Sequence, residues 1–184
     1  DPTVITVGSV NSHGTVARSD DTVNNFSSRG PTRGGWTDVY GVRHVDNLVK
    51  PDLVAPGNKI AAVAATKASS TATTWNLLAA TYYDQLVTPL NHTQIYKETQ
   101  MMLSGTSIAA PAVAGTVALM LQANPGLTPP LVKAILQYSA QPLPNHSLLQ
   151  QGAGQLNVSG AMALATALRT DIASAVQART IKAG

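Results

Sequence analysis

Apolar residues in this chain fall into short unbroken runs separated by polar stretches, and that pattern sets the expected elements. Val4–Val10 is a nearly continuous β-branched run, as expected of a strand buried on both faces. Within Lys50–Gly57 a short strand is bracketed by Pro51 and Pro56, the strand-end positions a sheet tolerates for proline. Another strand is expected at Lys59–Ala65. A long helix from Ser107 to Gln122 is apolar on all sides, the signature of a helix buried in a core. Asn124-Pro125-Gly126 stops it. Thr128 then serves as N-cap, with Pro129 and Pro130 in the first turn, for a helix over Leu131–Ser139. Gln151–Val158 reads as a tight turn and short strand, Ser159–Leu168 as a further helix, and Thr170–Thr180 as an amphipathic tail prolonging it. Residues 11–35, rich in Ser, Asn, Asp, Gly and Arg, read as loop. The stretch 66–100 has less pattern: a loop at Lys67–Thr74, a helical segment at Trp75–Val87, and polar Asn91–Gln100.

Composition narrows the picture. With 184 residues, 44% hydrophobic and 11% charged, the chain suits one globular unit. Aromatics are 4%, so the core must be built from Ala, Val, Leu and Ile. The net charge of +3 is scattered; a nucleic-acid surface needs a basic stripe with aromatic partners, and none is visible. Without cysteine, disulfides, thiol catalysis and Cys-ligated zinc are excluded. No uninterrupted apolar run reaches the roughly 18 residues of a membrane span, and no membrane partner is expected. The chain opens at Asp1 and enters a strand almost at once, which reads as a processed or excised piece of a longer protein.

The strongest chemical signal is Gly105-Thr106-Ser107-Ile108-Ala109-Ala110-Pro111. Gly105 lets the backbone turn, and the turn presents Ser107 at a helix N-terminus. Free N–H groups and the macrodipole there favour developing negative charge, as a reaction through an oxyanion requires. A Ser or Thr before an apolar run is also an ordinary N-cap, and Pro111 in the first turn fits both readings. Anion binding at this helix start finds no basic cluster beside it.

Gly105–Pro111 resembles the nucleophile motif of the subtilisin-like serine proteases, the subtilases. Other blocks follow in that family's order. Val4–Val10 resembles its strand ending in Val-Gly, Phe26–Pro31 its Phe-Ser-Ser-x-Gly loop, and Lys50–Gly57 its Lys-Pro-Asp-x-x-Ala-Pro-Gly turn. Gly152-x-Gly154 with Asn157 resembles the motif closing the catalytic domain. The resemblance implies a partial three-layer α/β domain with a mostly parallel sheet. Residues 1–168 would be the C-terminal portion of that domain and 169–184 a trailing helix or linker. It implies Ser107 as the nucleophile of a serine endopeptidase and Thr106 as support for the oxyanion, with Gly105, Ala109, Ala110 and Pro111 shaping the motif.

Subtilases carry their triad in the order Asp, His, Ser. The Asp, the His and an oxyanion-hole Asn would all precede Val4. The chain alone is then expected to be nearly inert, since in subtilisin itself loss of the base alone costs about a million-fold in turnover. The implied partners are a peptide substrate and the missing N-terminal part, with self-association through an uncovered apolar face and sheet edge. A secreted setting is implied too. So is a structural calcium on backbone oxygens near Val4–Val10 and the Asp20-Asp21 loop, although no side-chain metal cluster is expected. The other reading is a non-catalytic interaction or structural module that keeps the fold.

His13-Gly14-Thr15 copies part of the family's His-Gly-Thr-His motif, but Val16–Asp21 turns polar where an apolar helix should follow, so His13 reads as a loop residue. His44, His92 and His146 lie in polar loops without His or carboxylate partners at metal-ligand spacing and read as surface histidines. Asp52 is expected to anchor the turn around Pro51. Ile108 stands where many subtilases have Met, which removes an oxidisable thioether, and Ala112 replaces a common second His. Residues 66–100 read as an insertion without a catalytic part. Asn25, Asn91, Asn145 and Asn157 begin glycosylation sequons, with Asn157 expected to be buried.

Overall fold

The computed structural model describes residues 1–63, 77–82, 85 and 100–179. Its strands are β1 (Val7–Asn11), β2 (Thr22–Val23), β3 (Gly35–Thr37), β4 (Arg43–Val45), β5 (Leu53–Pro56), β6 (Ile60–Val63) and β7 (Gln100–Leu103). Its helices are α1 (Leu77–Thr81), α2 (Thr106–Ala123), α3 (Pro129–Ser139), α4 (Leu148–Gln151), α5 (Val158–Ala167) and α6 (Ile172–Gln177).

At the centre β1 lies parallel to β5, with Val7 opposite Leu53 and Val10 opposite Pro56, and antiparallel to β2. Consecutive side chains of β5 leave on opposite faces. Leu53 and Ala55 enter a core with Ala109, Val113 and Met120 of α2, Val132, Ile135 and Leu136 of α3, and Ala161 and Ala165 of α5. Val54 enters a smaller cluster with Val10, Val23 and Leu143 on the other face. Apolar residues on both faces explain why β5 reads as an unbroken run. Each fully buried Leu or Val contributes about 1.5–3 kcal/mol.

The parallel contacts among described residues are the β1–β5 ladder and a single bridge between Val54 and Gln155, and hairpins make the remaining pairing antiparallel. The first strand begins at Val7, three residues later than the β-branched run, and Val4 is exposed. The β3–β4 hairpin was not anticipated: its three-residue strands are exposed on both faces and show no alternation. Its tip is closed by Asp38, whose carboxylate accepts from the amides of Tyr40 and Val42. β7, which starts at the last residue of the polar stretch Asn91–Gln100, pairs with β6. The helical segment expected at Trp75–Val87 is described at α1 and at Tyr82 and Gln85; Lys67–Thr74 and residues 91–99 lie outside the described residues.

The nucleophile-motif helix spans its expected residues, but its burial differs from expectation. Only the stripe Ala109, Val113, Thr116 and Met120 is buried, because β1, β5 and α5 cover one side. Ala110, Pro111, Ala112, Ala114, Gly115, Ala118, Leu119 and Leu121 are exposed. This helix is also long and apolar enough to cross a membrane, at a mean hydropathy of 1.4, which the uninterrupted-run criterion missed because Thr, Gly and Gln punctuate it. Its packing on the sheet makes it a core-layer helix of the α/β fold.

Thr128 occupies the N-cap of α3 with extended backbone (φ −90°, ψ 156°), although its side chain makes no capping bond. The turn expected at Gln151 is preceded by the short helix α4. Its C-cap Gly152 adopts φ 61°, and a Cβ there would lie 2.3 Å from the Pro51 carbonyl oxygen, so only glycine fits. The C-terminal tail does not prolong α5; that helix ends at Ala167 with Leu168 as its C-cap, and α6 is separate. Asn124 ends α2 by donating its N–H to Met120 O at 2.9 Å. The same residue's Nδ2 donates to Ala165 O and Leu168 O at the end of α5, both at 2.9 Å.

Candidate active site

The turn bearing Ser107 is held at the C-terminal ends of the parallel strands. Gly57, immediately after β5, donates its N–H to Val10 O at 3.1 Å, and Gly57 O accepts from Gly105 N at 2.8 Å. A Cβ on Gly57 would lie 2.4 Å from Ser9 Oγ and 2.6 Å from Gly105 O, so glycine permits this close approach of β1, β5 and the motif. Ser104 adds a side-chain clamp: its Oγ accepts from Lys59 N at 2.8 Å and donates to Asn58 Oδ1 at 3.1 Å. Beside these residues opens a cleft of about 390 Å³ lined by Asn11–Gly14 and Asn58–Ile60.

Gly105 is nearly extended (φ 159°, ψ 161°), and α2 starts directly after it. Its carbonyl accepts from Ile108 N at 3.0 Å and Ala109 N at 3.2 Å. The preceding amides, on Thr106 and Ser107, have no hydrogen-bond partner among the described residues, as the geometry of a helix start dictates. Ser107 is exposed, and its Oγ likewise has no hydrogen-bond partner among the described residues. This argues against the simple N-cap reading, in which the hydroxyl would accept from an amide further along the helix. Thr106 is half-buried, Ala109 is buried against the sheet, and Ala110 and Pro111 lie on the exposed side of α2. The arrangement offers an accessible hydroxyl beside an unpaired amide at the positive end of a helix dipole.

No described histidine hydrogen-bonds to Ser107. His13 is an exposed loop residue with φ 51°; its Nε2 pairs with Thr22 Oγ1 at 3.1 Å and its Nδ1 with Asn11 Nδ2 at 3.3 Å. His44 is exposed and pairs with a single carboxylate: its Nε2 lies 2.8 Å from Asp38 Oδ2, and the ring stacks on Trp36 with centroids 4.5 Å apart. The β3–β4 hairpin brings these residues together, and the His44 contact holds the half-buried Asp38 carboxyl below its ordinary pKa. His146 is half-buried rather than a plain surface residue: its Nε2 accepts from Val23 N at 3.3 Å, and its Nδ1 is buried without a partner. His92 lies outside the described residues. Asn157 is half-buried, not buried, and caps α5 by accepting from Gly160 N at 3.0 Å.

Asp52 anchors the N-terminal segment more than its own turn. Its Oδ2 accepts from Thr6 N and from Lys50 Nζ, each at 2.7 Å, and its Oδ1 lies 2.9 Å from Lys133 Nζ of α3. Burial by itself raises the pKa of this carboxyl, but the hydrogen bonds from Lys50, Thr6 and Lys133 outweigh it and hold the group below its ordinary value. Among the described residues no three His, Asp or Glu side chains gather as a metal site.

Comparison with known proteins follows the same blocks. The model of the subtilase family matches residues 2–154. The chain belongs to the subtilase family. This subtilase chain is 35% identical over 159 residues to serine protease AprX of Bacillus subtilis (strain 168), covering 86% of the chain and 29% of AprX. It is 34% identical over 143 residues to subtilisin-like protease SBT2.3 of Arabidopsis thaliana, covering 74% of the chain and 14% of that protein. The subtilase chain thus spans less than a third of these curated relatives. Its fold matches that of fervidolysin from Fervidobacterium pennivorans, a keratinolytic enzyme related to subtilisin. That match has a TM-score of 0.57 at 23% identity and covers 88% of the chain and 19% of fervidolysin.

Proposed function

We propose that this chain is the nucleophile-bearing part of a serine endopeptidase that cleaves peptide bonds through an acyl-enzyme at Ser107. The observation that carries the reading is the exposed Ser107 with its unpaired amide at the start of α2, within a motif matching the family's nucleophile block. Ser107 Oγ attacks the peptide carbonyl, and the Ser107 N–H donates to the oxyanion, with Thr106 beside it. The base that takes the hydroxyl proton, the Asp that orients it and a further oxyanion donor come from polypeptide outside residues 1–184. That polypeptide covers the exposed apolar side of α2, where Ala114, Ala118 and Leu119 have no partner element among the described residues. The cleft lined by Asn11–Gly14 and Asn58–Ile60 lies on the same end of the sheet and can receive part of an extended substrate. The substrate is a peptide or protein, and the reading places it outside the cell.

A fluorophosphonate probe tests this reading. In the whole protein the probe should label Ser107, and Ser107→Ala should abolish labelling and lower peptide hydrolysis by about 10⁴-fold or more. Residues 1–184 alone should label at a small fraction of that rate. Robust hydrolysis by residues 1–184 alone, surviving Ser107→Ala, would overturn the proposal. Absence of labelling in the whole protein would favour the non-catalytic module.

A further inference from the structure

The N-terminal segment, β5 and α3 meet at a cluster of hard oxygen atoms: both carboxylate oxygens of Asp52 and the carbonyl oxygens of Pro2 and Val4. Such oxygens from separate parts of a chain are the donor set calcium selects. Here each already faces an ammonium group. Lys50 Nζ lies 2.7 Å from Asp52 Oδ2 and 2.8 Å from Val4 O. Lys133 Nζ lies 2.9 Å from Asp52 Oδ1, 2.6 Å from Pro2 O and 3.2 Å from Val4 O.

We propose that Lys50 and Lys133 stand in place of a structural metal ion, so that this junction is closed by the protein's own cations and binds no calcium. Their two charges together equal that of one divalent ion. Both side chains are largely buried, at 10% and 17% exposed, and so are committed to these oxygens rather than to water. An ammonium group has three N–H donors, and the oxygens around Lys133 supply an acceptor for each. A divalent ion entering this junction would sit against two ammonium groups and would have to displace them from the oxygens it needs. The backbone oxygens near Val4 that the sequence nominates for calcium therefore do not fit a resident calcium ion while both lysines are present.

The double substitution Lys50→Met and Lys133→Met removes both cations and leaves the oxygens. In the whole protein, calorimetric titration should show the double variant taking up one more calcium per chain than the parent. Its melting temperature should fall by several degrees in EDTA and recover in part when calcium replaces EDTA, beyond any shift of the parent under the same change. The same calcium count in both proteins, or equal destabilisation with and without calcium, would overturn the proposal. A second measurement needs no variant: reductive methylation followed by mass spectrometry on the parent protein. Lys50 and Lys133 should react more slowly than the exposed Lys59, at rates unchanged by calcium. Faster methylation of Lys50 and Lys133 on adding calcium would mean that the ion displaces them, and the proposal would fail.

Discussion

Asp52 carries more of the fold's electrostatics than its place in a short proline-bounded strand suggests. It is 5% exposed and meets two ammonium groups and the Thr6 amide. Asp52→Asn would leave those buried lysines without a counter-charge, a loss expected to cost about 3–5 kcal/mol. Because the folded carboxyl titrates below its unfolded value, the unfolded state binds more protons over that interval. The contribution is complete above the unfolded pKa of about 3.9 and disappears as pH falls through the lower folded pKa. Melting temperature measured against pH should therefore drop at the acid end in the parent protein. Asp52→Asn should be less stable at neutral pH and should show less of that acid-limb slope; parallel curves would refute this role. Neither Lys133 nor Val4 advertises this contact in sequence, since α3 and the N-terminal segment are far apart along the chain and only the fold brings them together. Ser107, by contrast, is nominated by its seven-residue motif together with the other family blocks around it.

At the scale of elements, a close contact sets the turn bearing Ser107 against the sheet: Gly57 lies against both Ser9 and Gly105. Gly57→Ala forces its new methyl onto the Gly105 carbonyl and moves the start of α2 by a fraction of an ångström to an ångström. Misplacement of that size near a reacting atom costs about 100-fold. In the whole protein we expect the fluorophosphonate reaction at Ser107 to slow by about that factor while the protein stays folded; an unchanged rate would show that the turn is not set by this contact. The elements best read from sequence, β5, α2, α3 and α5, are those with long apolar runs, proline brackets or helix-stop residues. The β3–β4 hairpin escaped because its brief strands bury nothing, so no hydrophobic period marks them. α2 was placed correctly, but its burial was overestimated. An apolar circumference reports that a helix is meant to be covered, without saying which polypeptide covers it.

For the whole molecule, that bare side of α2 bears on solution behaviour. Leu121 is 40% exposed in a row with Ala110, Ala114 and Ala118, and Leu119, further round the helix, is 47% exposed. Exposed apolar patches of this kind drive association. Residues 1–184 expressed alone should sediment as concentration-dependent oligomers, and Ala114→Lys with Ala118→Lys should shift them toward monomer with helix content unchanged by circular dichroism. A parent chain that stays monomeric at high concentration would exclude the patch as a sticking surface. The α/β class and a mostly parallel sheet follow from the family blocks in the sequence, whereas the pairing of β1 with β5 is not written there, because neither strand's residues name its neighbour.

Asn124 has a consequence for how the C-terminal half comes apart. One amide side chain fastens the end of α5 while its own backbone finishes α2. Peeling back the last turn of α2 carries Asn124 away and removes both of its side-chain bonds to α5, so fraying there loosens the end of α5 as well. The dependence runs one way, because the backbone bond from Asn124 to Met120 stays in place when α5 frays.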